Sequence, residues 1–76
     1  MKKFANELNV FQLRVYEYLK QEGTDDGSNL IDNLGEIKEG CEYVPDSVYE
    51  SYARLSEIER IEIIHFFTKH IMRKNQ

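Results

Sequence analysis

The chain has 76 residues, a formal net charge of −4, 41% hydrophobic and 12% aromatic residues, and one cysteine. That composition supports one folded domain rather than disorder. At this length only about 60% of the unfolded surface can be buried, so self-association would add stability. The single cysteine, Cys41, excludes an internal disulfide and fits a reducing, cytoplasmic setting.

No apolar run approaches the roughly 18 residues of a membrane span, so no membrane partner is expected. Met1-Lys2-Lys3-Phe4 has no continuous apolar stretch behind it, so it is not read as a secretory signal. The charge is polarised along the chain. Residues 22–62 carry twelve acids against Lys38, Arg54 and Arg60, a net of −9, whereas residues 1–21 carry +2 and residues 63–76 carry +3. An acidic middle does not grip phosphates, so direct nucleic-acid binding is not expected. A basic partner is the better electrostatic match.

In chain order, the first element is a helix. Phe4, Leu8, Phe11, Val15 and Leu19 recur at spacings of three and four, with Tyr18 beside them. Asn9 with Gln12 resembles a capping box, which would start the helix near Val10. The stripe through Phe4 and Leu8 favours a longer helix from near Lys3. Gly23 is expected to end it, and Asp25-Asp26-Gly27 reads as a solvated turn. The acids there do not match a calcium loop. Ser28 to Gly35 is expected to form a short helix capped by Ser28 and stopped by Gly35.

Residues 36–44 admit a short hairpin or an extended loop, because Ile37, Cys41 and Tyr43 share a parity around Gly40. Pro45 suits the first turn of the next helix, with Ser47 and Glu50 as a capping-box pattern. Ser56 and Glu59 start the last helix with a second such pattern. Early acids (Glu57, Glu59, Glu62) and late bases (Lys69, Arg73, Lys74) complement its dipole. On a 100° wheel Ile58, Ile61, Ile64, Phe67, Ile71 and Met72 form one broad face, expected to pack on the first helix. Ile63, Phe66 and His70 form a second stripe, expected to meet either residues 36–44 or, by slight preference, another chain.

The fold class read from this pattern is mainly α. Two long helices, N- and C-terminal, pack together, with one or two short helices and an irregular or hairpin segment between them, in a single domain over residues 1–76. The expected core is Phe4, Leu8, Phe11, Val15, Leu19, Leu30, Leu34, Val48, Tyr52, Ile58, Ile61, Ile64, Phe67 and Ile71.

No motif in the chain carries chemistry. His65 and His70 stand five apart, about 140° around a helix, where helical metal pairs use three or four. Cys41 has no base placed near it by the sequence, and a lone cysteine in a short chain usually acts as a small hydrophobe. Glycine-rich phosphate loops and serine nucleophile motifs are absent. No enzyme activity, cofactor or metal is therefore expected.

Tyr43, Tyr49 and Tyr52 lie inside the acidic block, a composition suited to binding because tyrosine offers area at little entropic cost. They equally suit core packing with the hydroxyl at the rim. The partner-binding residues expected from these features are Ile63, Phe66, His70, Glu39, Glu42, Tyr43, Asp46, Tyr49 and Glu50. The acidic block reads as a solvated surface that confers solubility or as a mimic of nucleic-acid phosphates. For the second reading, in size and charge the chain resembles the small phage inhibitors of restriction and CRISPR systems, whose carboxylates occupy grooves meant for phosphates. The resemblance implies a non-enzymatic, phage- or mobile-element-encoded inhibitor or regulator. Its partner would be a protein, itself a nucleic-acid binder, and a homodimer through the C-terminal helix is a further expectation. The alternative is a small helix-turn-helix-like transcriptional regulator, supported by short helices joined at glycine turns and bases near both termini. Against it, no helix gathers Asn, Gln and Arg on a basic face.

Overall fold

The computed structural model describes residues 8–75. They form four helices: α1 (Val10–Gln21), α2 (Gly27–Glu39), α3 (Asp46–Arg54) and α4 (Glu57–Lys74). The fold is mainly helical, as the periodicity implies, and no strand occurs among the described residues.

Helix α1 starts at its capping box. The Gln12 N–H donates to Asn9 Oδ1 (2.8 Å), and the Asn9 N–H donates to Gln12 Oε1 (2.9 Å). Asn9 is extended, with ψ at 172°, so no helix runs through it. The expected start near Lys3 is corrected for this reason. Leu8 is buried without being helical, which explains how it keeps the apolar stripe; Phe4 lies outside the described residues. At the other end Gly23 takes φ +68°, and the amides of Gly23 and Thr24 return to the carbonyls of Lys20 and Leu19. This is the paired closure of a glycine-terminated helix.

Helix α2 departs from the sequence reading at both ends. Its cap is Asp26, whose Oδ1 accepts from the Asn29 N–H (2.8 Å), and not Ser28. Gly35 lies inside the helix, and the stop falls at Gly40, with φ +69°. Gly40 closes α2 as Gly23 closes α1, with the Cys41 amide returning to the Glu36 carbonyl (3.2 Å). The first four residues of the candidate hairpin, 36–39, are thus helix. Residues 41–44 make a turn closed by the Val44 N–H on the Cys41 carbonyl (2.9 Å). Pro45 sits at the N-cap of α3 and no side chain caps that helix, so the Ser47–Glu50 box does not form. Ser47 instead accepts, through its carbonyl, from Ser51 Oγ (2.6 Å).

The chain then leaves α3 at Leu55 and enters α4 through a formed box, Ser56 with Glu59. Helix α1 lies between α3 and α4. Against α3 it runs antiparallel, since Arg14 donates to Ser51 Oγ (2.9 Å) while Arg54 covers the Phe11 ring at 5.5 Å. Beside α4 it runs parallel: Asn9 and Gln12 meet Glu59 and Glu62, and Tyr16 meets Phe67 and His70. The core gathers Val15, Tyr18 and Leu19 of α1, Leu30 and Ile37 of α2, Val44, Val48, Leu55, and Ile63, Phe67 and Ile71 of α4. Phe11, Leu34 and Tyr52 pack at its edge.

The expected α4 face is corrected. Phe67 and Ile71 point inward, but Ile58, Ile61 and Ile64 face solvent, and Ile63 is core at 1% exposure. The cause is polar. Gln12, fully buried, donates through Nε2 to the Glu59 carbonyl (3.0 Å) and to Glu62 Oε1 (2.8 Å). Asn9 Nδ2 donates to Glu59 Oε2 (2.7 Å). Arg60 donates to the Tyr52 carbonyl from Nε (3.3 Å) and Nη2 (3.1 Å), with its guanidinium over the Tyr52 ring at 4.5 Å. Buried polar groups must keep partners. These bonds hold Glu59, Arg60 and Glu62 toward the rest of the domain and turn the opposite stripe outward.

Candidate interaction surfaces

Two surfaces stand out, one acidic and aromatic, the other apolar. The first lies where α2 ends and α3 begins. Gly40 brings the chain so close to Tyr49 that a Cβ there would sit 3.0 Å from Tyr49 Cε1. The Tyr49 ring therefore packs over the end of α2 and fixes the corner. Tyr43 and Tyr49 nonetheless remain exposed, Tyr43 by 60%. Glu39, Glu42, Asp46 and Glu50 are all exposed around them. The Glu36 carboxylate beside the Tyr43 phenol pushes that phenol well above its ordinary value of 10, with partial burial adding to the shift.

Helix stability does not explain these acids. Glu36 and Glu39 lie in the last turns of α2, where the exposed carbonyls favour bases; each acid there costs about 0.3–1 kcal/mol. Only Asp46, in the first turn of α3, sits where the dipole favours it.

The second surface is the outer side of α4. Ile58 (70% exposed), Ile61 (55%) and Met72 (61%) lie along it, with Ile64 at its margin. His65 and Thr68 are exposed between them. Positions 58, 61, 65, 68 and 72 step by three and four, the spacing of a coiled-coil seam. The sequence carries that spacing, but the broad face read from it joins Ile58, Ile61 and Met72 to Phe67 and Ile71.

The expected site residues divide accordingly. Glu39, Glu42, Tyr43, Asp46, Tyr49 and Glu50 all lie at the end of α2, in the following turn or in the first half of α3, and all are exposed. Ile63, Phe66 and His70 do not form an outer stripe, and that expectation is corrected. Ile63 joins the core, while Phe66 and His70 are half-buried. His70 lies against Tyr16 and Phe67, with ring centroids 6.3 and 5.2 Å away. Burial lowers its pKa from 6.5, and Lys20, Lys74 and Arg73 lower it further. His65 stacks edge-on to Phe66 at 5.3 Å.

Cys41 is half-buried against the core, a packing role. Among the described residues no group of three His, Cys, Asp or Glu side chains could hold a metal. No helix there is long and apolar enough to cross a membrane. No protein-family model, curated protein or solved structure matches this chain.

Proposed function

We propose that this chain is a non-enzymatic protein-binding module, a small inhibitor or regulator. It presents the acid–tyrosine corner to a basic surface on its partner, of the kind that otherwise holds nucleic-acid phosphates. One observation carries the reading: Tyr43 and Tyr49 are exposed where α2 gives way to α3, and the acids that flank them in the chain, Glu39, Glu42, Asp46 and Glu50, are exposed as well. Carboxylates supply long-range attraction to lysine and arginine, and rigid tyrosines supply contact area. The acids at the end of α2 support it, since they work against that helix.

The test is affinity capture from host lysate with the wild-type chain and with a variant carrying Glu39→Lys, Glu42→Lys, Asp46→Lys and Glu50→Lys. The proposal expects a nucleic-acid-binding protein captured by the wild type, released by salt, displaced by its own nucleic acid, and not captured by the variant. Equal capture by both chains, or indifference to nucleic acid, would overturn it. The helix-turn-helix alternative draws little support from α4, whose exposed side carries isoleucine and methionine where a base-reading helix carries arginine, asparagine or glutamine.

A further inference from the structure

We infer that the outer side of α4 is covered by the same side of α4 in a second copy of this chain, the two helices running antiparallel about a two-fold axis near His65. The inference does not depend on the acid–tyrosine corner, because α4 and α3 flank α1 through different residues: Gln12 and Tyr16 toward α4, Phe11 and Arg14 toward α3.

Three observations select a second copy, in this orientation, as the occupant. The first is the seam itself. Ile58, Ile61, His65, Thr68 and Met72 repeat by three and four on one side of a single helix, which is the pattern for helix-on-helix pairing. The seam is also nearly symmetric about His65, with Ile58 seven residues before it and Met72 seven after. A two-fold axis there sets Ile58 of each copy against Met72 of the other, as a self-complementary patch requires.

The second is charge. The acids of α4 (Glu57, Glu59, Glu62) fall in its first six residues and the bases Lys69, Arg73 and Lys74 in its last six. Parallel pairing would set like ends together. Antiparallel pairing sets the acidic end of each copy against the basic end of the other, twice over. Glu57 and Lys69 are both exposed, so the charges at the two ends of the helix are open to the other copy.

The third is size. A specific interface needs roughly 500 Å² from each partner, about a tenth of the 5350 Å² surface of this chain. An 18-residue helix is about 27 Å long, and pairing along its whole length with the flanking side chains gives a contact of that order. A chain this short also gains from the added burial more than a larger one would.

Sedimentation equilibrium over a series from micromolar to near-millimolar chain tests the association. The wild type is expected to approach twice the monomer mass. Ile61→Glu, at an exposed position, should stay helical by circular dichroism and weaken the dimer about a hundredfold or more, because each dimer loses two apolar contacts and gains two buried charges. A wild type that remains monomeric throughout, or an Ile61→Glu chain that dimerises as well as the wild type, would overturn the inference. Disulfide trapping in a Cys41→Ser background tests the orientation. His65→Cys should link to itself, and Ile58→Cys should link to Met72→Cys but poorly to itself. Self-linking of Ile58→Cys as efficient as its linking to Met72→Cys would mean parallel pairing and would overturn it.

Discussion

Ile63, Phe67 and Ile71 on one side of α4 and Ile58, Ile61 and Met72 on the other are chemically alike, yet the first three are buried and the last three are more than half exposed. Hydrophobicity does not distinguish them. What does is the polar set beside them: Asn9, Gln12 and the Tyr52 carbonyl reach Glu59, Arg60 and Glu62 and fix the rotation of the helix. Apolar residues drive α4 onto the domain, and directional bonds decide which of its sides arrives. The side left over is then free to serve association.

The contrast can be broken most directly by truncation. Phe67→Ala should cost about 3–5 kcal/mol, by lost burial and the cavity left behind, enough to unfold much of a 76-residue chain. Ile61→Ser, measured by urea denaturation at concentrations where the chain is monomeric, should change stability by no more than about 0.5 kcal/mol. Equal losses at the two positions would erase the distinction. Gln12→Ala tests the polar anchor. It removes bonds to a carbonyl and a carboxylate at a fully buried site and should cost about 1–3 kcal/mol. If the anchor sets the rotation, amide exchange along α4 should quicken in this variant more than in Ile61→Ser.

A fixed and an open position also contrast at the helix ends. Gly23→Ala, with no atom near the new Cβ, should cost about 1–2 kcal/mol for the left-handed backbone alone. Gly40→Ala carries the same backbone cost and also presses on the Tyr49 ring, so its unfolding midpoint should fall further. Equal midpoints would show that Tyr49 yields freely and that the corner is not rigid.

The smallest effect concerns pH. Folding lowers the pKa of His70 from 6.5, through burial first and then Lys20, Lys74 and Arg73. Well above 6.5 the group is neutral in both states and contributes nothing. As pH falls through 6.5 the unfolded chain takes up a proton that the folded chain resists, and stability declines until the lower folded pKa is passed. The wild type should therefore lose more stability than His70→Gln as pH drops from about 7 to 5. An identical pH dependence for the two chains would remove His70 from that account.

The helical class, the Ser56–Glu59 box and the Gly23 stop were legible in the sequence because each is decided within one turn of chain, whereas the Asn9–Gln12 box was outweighed there by the apolar stripe through Phe4 and Leu8. Where two local signals competed, tertiary context chose. Asp26 displaced Ser28 as the cap of α2, and Gly35 was carried through because Ile37, two residues beyond it in the same helix, is fully buried. The hairpin reading of 36–44 rested on parity over too few residues to resist that extension. Of the candidate site, the acids and tyrosines at the corner were legible because charged and half-polar groups seek the surface wherever the fold puts them. The rotation of α4 was not, because Gln12 and Asn9 meet Glu59 and Glu62 across about fifty residues of chain, a pairing that periodicity does not encode.

Helix α4 turns one apolar side inward and leaves the other open. Thiol labelling of Ile61→Cys and Ile63→Cys, each in a Cys41→Ser background and at a concentration where the chain is monomeric, tests it most directly. The thiol at position 61 should react at nearly the rate of an unfolded chain, while the one at position 63 should stay protected until the domain unfolds. Rapid labelling at 63 with protection at 61 would contradict it.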